Sequence, residues 1–358
     1  MTTTKLSLAA LAALLLAGCG NETAKTPDGG GSNASSAGVP KGKPIKVGVV
    51  FDSGGRGDKS FNDSAFAGVE KAEKSLGIQA SDVKTVDSKS AKDYSGNLST
   101  LAESGCDVVF AVGIGQDVAL KDIAPKYPDV KFGLIDGTMD APNVRSIVFT
   151  EEQGSFLAGY AAALASKTGK VGFVGGKKIP LIEKFQAGFE AGAKAANPSI
   201  EVLPAKYTDS WDDTAIGKAM AQSLYSGGAD VVYHAAGRCG LGVIDAARES
   251  EGKLAIGVDS DQDDQAKGKV LTSMVKHVDA AVFQTIKDVQ DGKFTAGTKV
   301  YDLKADGVGL TDFRNTQDKL GADGMKRLDD AKKKIEDGTY KVPTTLADVP
   351  TFLASIKK

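Results

Sequence analysis

From Ile45 onward, short apolar runs alternate with longer stretches whose apolar residues recur every three or four positions. The runs 45–51, 108–112 and 130–135 have the length and the Val/Ile/Phe content of strands buried on both faces. The stretch 64–75 places Phe66, Val69 and Ala72 on one side of a helix. Read in order, the pattern predicts strands at 45–51, 80–86, 108–112, 130–135 and 144–149, with helices at 64–75, 92–105, 116–126 and 152–167. The program restarts at Lys170, with strands at 170–174, 200–206, 230–233, 254–258 and 270–275 and helices at 181–196, 213–227 and 241–250. A helix at 278–291 is placed to return the chain to the first unit. Beyond Ala296 come a strand, a charged helix at 323–337 and a short helix near 344–357. This is an α/β chain of two doubly wound parallel-sheet lobes. The expected division is 45–149 plus 277–300 for the N-terminal lobe and 150–276 for the C-terminal lobe, with 301–358 packing on them.

The first 44 residues follow another logic. One cation, Lys5, precedes an apolar run from Leu6 to Leu16, the form of a secretory signal peptide at 1–18 and too short to span a bilayer. Leu16-Ala17-Gly18-Cys19 looks like a bacterial lipobox, in which Cys19 is acylated and becomes the mature N-terminus. Residues 19–44 are rich in Gly, Ser, Asn, Pro and Thr and cannot bury a core, so they read as a flexible linker behind a lipid anchor. Composition narrows the rest. With 44 basic and 46 acidic residues the net charge is −2, which leaves no electrostatic footprint for nucleic acid. Three Cys and two His exclude a disulfide scaffold and argue against a Cys/His metal cluster. Nothing suggests that Cys106 and Cys239 pair.

In open parallel sheets ligands bind at the carboxyl ends of the strands. The residues there include Asp52 with Phe61 and Asn62, Asp136, His234 through Gly237, Asp259 and Lys276; Phe185 lies on the helix after strand 170–174, and Trp211 follows strand 200–206. Rings can stack on a flat ligand, carboxylates can accept from hydroxyls, and an ammonium can donate. Each has a plainer reading. Asp52 and Asp136 can cap the next helix. Phe61 and Phe185 can be core, Asp212 and Asp213 first-turn acids, and Lys276 an ordinary solvated lysine. Trp211, the only Trp, sits between polar residues, where a core reading is less natural.

Enzyme motifs fail on spacing. Ser53-Gly54-Gly55-Arg56-Gly57 does not fit G-x-G-x-x-G, and Gly172 to Lys178 lacks the spacing of a P-loop. The run from Asp259 begins like a calcium loop but has Asp264 where Gly is needed and Val270 where the bidentate Glu belongs. No Ser-His-Asp arrangement is suggested. Arg56-Gly57-Asp58 resembles an adhesion tripeptide.

Five runs together resemble the basic membrane protein family of bacterial lipoproteins. They are Asp58-Lys59-Ser60-Phe61-Asn62; Gly172-Phe173-Val174-Gly175-Gly176 with Phe185-Gln186-Ala187-Gly188-Phe189; His234-Ala235-Ala236-Gly237; Ile256-Gly257-Val258-Asp259-Ser260-Asp261-Gln262; and Thr272-Ser273-Met274-Val275-Lys276. The resemblance covers about 45–300 and implies a type I periplasmic binding protein fold, with two lobes, a hinge and the ligand between them. It implies no enzyme and no cofactor, but the nucleoside-binding component of an ABC importer, monomeric, held to the membrane by Cys19 and facing outward. The ligand it implies is a purine nucleoside of the adenosine, guanosine or inosine class, with its base between aromatics and its ribose on carboxylate and Lys. Carried over, Asp52, Phe61, Asn62 and Asp136 serve from the first lobe and Phe185, Trp211, Gly237, Asp259 and Lys276 from the second. Arg238-Cys239 departs from the small residues expected there. A sugar or autoinducer binder of the same fold, or a surface adhesin or antigen, is the alternative, with a nucleoside hydrolase more remote.

Overall fold

A computed structural model describes residues 43–357. The leader, Cys19 and nearly all of the linker lie outside the described residues.

The strands are β1 (Val47–Phe51), β2 (Val83–Asp87), β3 (Val108–Val112), β4 (Lys131–Ile135), β5 (Val144–Phe149), β6 (Lys170–Gly175), β7 (Glu201–Val202), β8 (Lys206–Tyr207), β9 (Val231–Ala235), β10 (Leu254–Asp259), β11 (Val270–Lys276), β12 (Gly297–Tyr301) and β13 (Val308–Leu310). The helices are α1 (Phe61–Leu76), α2 (Tyr94–Glu103), α3 (Asp117–Ile123), α4 (Glu151–Ala165), α5 (Pro180–Ala196), α6 (Thr214–Ser226), α7 (Cys239–Glu249), α8 (Val278–Gln290), α9 (Gln317–Glu336) and α10 (Val349–Ser355). The first sheet has the order β12-β5-β4-β3-β1-β2 and is parallel throughout. The second runs β13-β11-β10-β9-β6-β7, with β8 also on β6, and only β13 is antiparallel. These are two α/β parallel-sheet lobes.

Glycine content has a packing reason. A Cβ on Gly159 of α4 would lie 2.0 Å from the Phe189 carbonyl oxygen of α5, and one on Gly192 would lie 1.9 Å from that of Phe156. The two helix backbones therefore touch, an approach open only to residues without a side chain. The rings of Phe173, Phe189 and Tyr233 fill the second lobe behind them.

The chain passes between the sheets three times, at Thr150, at His277 and over 302–307. The crossings are bonded to one another: Thr150 N donates to Tyr301 O (3.2 Å), His277 N to Gly307 O (2.9 Å), and Leu303 N to Gln153 Oε1 (3.0 Å). The return to the first sheet is fixed by Arg145 of β5. It is buried and bonded to Asp288 of α8 (2.6 Å) and to Thr295 O ahead of β12 (3.0 Å).

Local departures from the sequence reading have identifiable causes. The strand expected at 200–206 is two two-residue strands, because Pro204 between them has no N–H to donate. The helix expected at 116–126 ends as α3 at Ile123, and Pro125 continues in a short 3-10 turn. The charged helix starts earlier, at Gln317, with a break at Gly321 (φ 66°). The last helix is shorter, 349–355, entered through Pro350. Cys239 opens α7 rather than lying in a loop, and it and Cys106 are buried free thiols. The tail from 301 is not a mere cover, since β13 extends the second sheet. The C-terminal segment also packs Tyr340 and Phe352 edge-on against Phe156 of α4, at 5.7–5.8 Å.

Candidate functional site

The carboxyl ends of both sheets face one cavity of about 650 Å³. All nine residues named from the sequence line it: Asp52, Phe61, Asn62 and Asp136 from the first lobe, and Phe185, Trp211, Gly237, Asp259 and Lys276 from the second.

Asp52 directly follows β1 and caps no helix. Its Oδ1 accepts from Gly54 N (2.8 Å) and from Asn62 Nδ2 (2.9 Å), so Asn62 is aimed by Asp52. Between them the segment 54–60 is wound on two carboxylates. Asp58 is 1% exposed and accepts from the backbone N–H groups of Ser60, Asn62 and Asp63 and from Asn62 Nδ2. Asp63 accepts from Arg56 Nε, Gly57 N and Lys59 N. Arg56 stacks over Phe66, 3.7 Å from its ring centre. In the Arg56-Gly57-Asp58 tripeptide Arg56 and Gly57 are exposed but Asp58 is buried, with its carboxylate spent on its own loop. This winding delivers Phe61 as the first residue of α1.

Asp136 directly follows β4 and Asp259 ends β10, with φ of 67° and 63°. That left-handed backbone is uncommon for non-glycine residues and clusters at functional sites. Asp136 does not cap a helix. Its Oδ2 accepts from Lys276 Nζ (2.7 Å), while its Oδ1 is buried with no hydrogen-bond partner. Asp259 Oδ2 accepts from Ser60 Oγ across the cleft. Lys276, 1% exposed, is no solvated lysine. Besides Asp136 it meets Glu151 Oε1 at 3.2 Å, and its Nζ lies 5.1 Å from the ring centres of Phe61 and Phe149 and 5.6 Å from that of Phe185. Phe185 belongs to both readings, being 3% exposed within the core and lining the cavity. Trp211 lies with its ring against Gly176, where a Cβ would come within 2.1 Å of it. Gly237, at φ 53°, passes beside the Trp211 backbone. Asp213, not Trp211, serves the following helix: it caps α6 by accepting from Ala215 N and Ile216 N.

Burial dominates the electrostatics. It raises the Asp136 carboxyl to about 6 although Lys276 pulls it down. It raises Asp259 to about 7 against Lys276 and Ser60. Burial alone would lower the Lys276 ammonium, but Asp136, Glu151 and Asp259 outweigh it and hold the cation charged. Asp52, Asp58, Asp117, Asp136 and Asp259 line the cavity against Lys89, Lys177 and Lys276, and Lys276 is already paired. Such a cleft suits a neutral solute rich in N–H and O–H donors and opposes a phosphate.

Sequence reasoning missed Glu151, Ser60, Gln262 and Tyr94. Glu151 looked like any acid in a first helical turn, yet it is the second partner of Lys276. Tyr94 opens α2 and lines the cavity. Gln262 accepts from Val258 N (3.0 Å), contacts His234 Nε2 (3.0 Å) and donates to Lys59 O in the other lobe (3.1 Å). His234 is fully buried in β9, where desolvation lowers it to about 4, so it is neutral.

Two doubly wound lobes joined by three crossings, with a polar, ring-lined cleft at the strand ends, define a solute-binding protein of the type I periplasmic class. Within that class the chain belongs to the Bmp family, described as ABC transporter substrate-binding protein PnrA-like, whose model matches residues 45–345. A Listeria innocua protein named CD4+ T-cell-stimulating antigen is 36% identical over 346 residues, covering 91% of this chain and 94% of its own. A Lactococcus lactis protein named ABC transporter nucleoside-binding protein BmpA is 36% identical over 285 residues, covering 74% and 81%. A crystal structure of an Aeropyrum pernix ABC transporter solute-binding protein has a TM-score of 0.78 at 29% identity, covering 88% of this chain and 98% of that one. The chain is thus the substrate-binding protein of an ABC transporter, a binder with a ligand and a permease partner. No helix among the described residues is long and apolar enough to cross a membrane.

Proposed function

We propose that this protein captures nucleosides, purine nucleosides first, and delivers them to its ABC permease while held at the outer face of the membrane by lipid on Cys19. The observation that carries the ligand class is the cleft itself. Phe61, Phe185 and Trp211 supply ring faces from both lobes, and a buried Asp136 oxygen without a partner lies beside Lys276 and Asp259. A base stacked on aromatic faces gains about 1–3 kcal/mol per ring. Ribose hydroxyls donating to carboxylates contribute roughly 1.5–3 kcal/mol each before ordering costs. The name of the Lactococcus lactis relative supports the same class.

Calorimetry tests it. Adenosine, guanosine or inosine should bind far more tightly than the free base, and 2′-deoxynucleosides less well, because a missing hydroxyl leaves a desolvated carboxylate short of a donor. Nucleoside monophosphates should bind weakly, since the cleft already carries excess negative charge. Trp211 is the only Trp, so its fluorescence reports occupancy. Equal affinity for adenine and adenosine would overturn the reading. For the anchor, intact-mass analysis of protein from native membranes should find an acylated Cys19, and Cys19→Ser should abolish retention.

A further inference from the structure

The first-lobe segment 56–60 is bonded to the second lobe at three carbonyls, those of Arg56, Lys59 and Ser60, by side chains that take no part in the cavity lining. Arg238 Nη2 donates to Arg56 O (3.0 Å) and approaches Gly57 so closely that a Cβ there would lie 3.0 Å from it. Gln262 Nε2 donates to Lys59 O (3.1 Å), and Ser260 Oγ donates to Ser60 O (3.3 Å). The backbone that receives these donors is unusual, with φ of 85° at Gly57 and 54° at Lys59. On the second lobe the donors are themselves fixed. The Arg238 backbone N donates to Trp211 O (2.9 Å), and the side-chain amide oxygen of Gln262 accepts from Val258 N while the Gln262 backbone N–H donates to Ser273 Oγ (3.0 Å).

We propose that Arg238 and Gln262 are cross-cleft positioning residues. They seat segment 56–60 on the second lobe, which brings Ser60 Oγ onto Asp259 Oδ2, leaves Asp259 Oδ1 to meet the ligand, and sets how long the closed cleft lasts. This rests on the solute-binding reading but on no particular solute. Arg238 departs from the small residues of the family pattern, whereas Gln262 and residues 58–60 fall within the runs that match it, so the Arg238 half of the device is this chain's own.

The test separates the latch from the ligand. Hydrogen exchange of segment 53–60 is followed without ligand in the full chain, in Arg238→Ala, Gln262→Ala and Arg238→Lys, with Arg248→Ala as a control on the exposed Arg248–Asp245 pair. Exchange should rise about tenfold in the two alanine variants, recover in Arg238→Lys, which keeps one donor, and stay unchanged in Arg248→Ala. Stopped-flow Trp211 fluorescence with guanosine then should show release accelerated about tenfold in Arg238→Ala, with association changed less than threefold. Arg238 is half-buried at the surface, so its variant folds even if Gln262→Ala does not. If guanosine does not bind the native protein but exchange rises as described, the latch stands and the nucleoside reading falls. Unchanged exchange in Arg238→Ala overturns the latch whatever binds.

Discussion

Asp58 in the loop after β1 and Asp136 on the floor around Lys276 are both buried and line the same cavity, yet their surroundings differ in one respect. In the loop, Asp58 and Asp63 are surrounded by donors from their own segment, with three backbone N–H groups on the former and two on the latter. On the floor, one Asp136 oxygen facing the cavity has no partner. Buried polar groups are normally satisfied, because leaving one bare costs about 1–3 kcal/mol. The loop carboxylates therefore build structure, and the Asp136 carboxylate keeps an oxygen for a donor the chain does not supply. Burial depth does not separate the two kinds of aspartate; partner count does.

Breaking the floor should cost most. Lys276→Met leaves Asp136 without its cation and Glu151 with Lys184 alone, and the unfolding free energy measured in urea should fall by about 3–5 kcal/mol, with nucleoside binding lost. Lys276→Met combined with Asp136→Asn should recover part of the stability and none of the binding. Next comes the contrast between the two regions. Asp58→Ala removes the acceptor for three backbone donors and should lower stability by about 3 kcal/mol. Asp259→Asn should leave stability within about 1 kcal/mol while weakening nucleoside affinity by about 1.5–3 kcal/mol in calorimetry. If both lose stability equally, the distinction fails.

Acidity sharpens the same comparison, with opposite signs for folding and binding. The floor groups Asp136, Asp259 and Glu152 have carboxyls raised to about 6, about 7 and about 7 by burial. Between pH 4 and 7 the folded protein thus holds more protons than the unfolded chain. Unliganded stability should decrease as pH rises through this window, by up to about 1.4 kcal/mol per unit for each group, and Tm should be lower at pH 8 than at pH 5.5. Glu152→Gln should flatten the slope. Ligand hydroxyls donate to ionised Asp259, so affinity should instead fall about tenfold from pH 8 to pH 6. The smallest effect is expected at Asp261, which faces solvent and pairs with Arg314. Asp261→Ala should change binding not at all and stability by less than about 1 kcal/mol.

Much of this was legible because the period of the pattern sets the strands, and a parallel sheet puts its ligand-facing residues just past them. Asp52, Asp136, Asp259 and Lys276 each follow an apolar run, so their placement needed no long-range information. Ser60, Arg238 and Gln262 were opaque because their partners lie some 180–200 residues away, across a gap that only the folded arrangement closes. Strand β13 was missed because three residues inside a polar tail carry no periodicity, and its place is set by β11. Glu151 was hidden by the ordinary preference for acids at helix starts.

The three bonded crossings at Thr150, His277 and 302–307 have a mechanical consequence. A single connector lets two bodies twist, slide and bend. Three laid side by side and laced by hydrogen bonds resist shear and torsion and leave bending about their shared line as the soft direction. The open protein then explores something near one angle rather than six rigid-body coordinates. Each lobe meets its counterpart in the same register on every stroke, and the orientational search is largely completed when the chain folds, before any solute arrives.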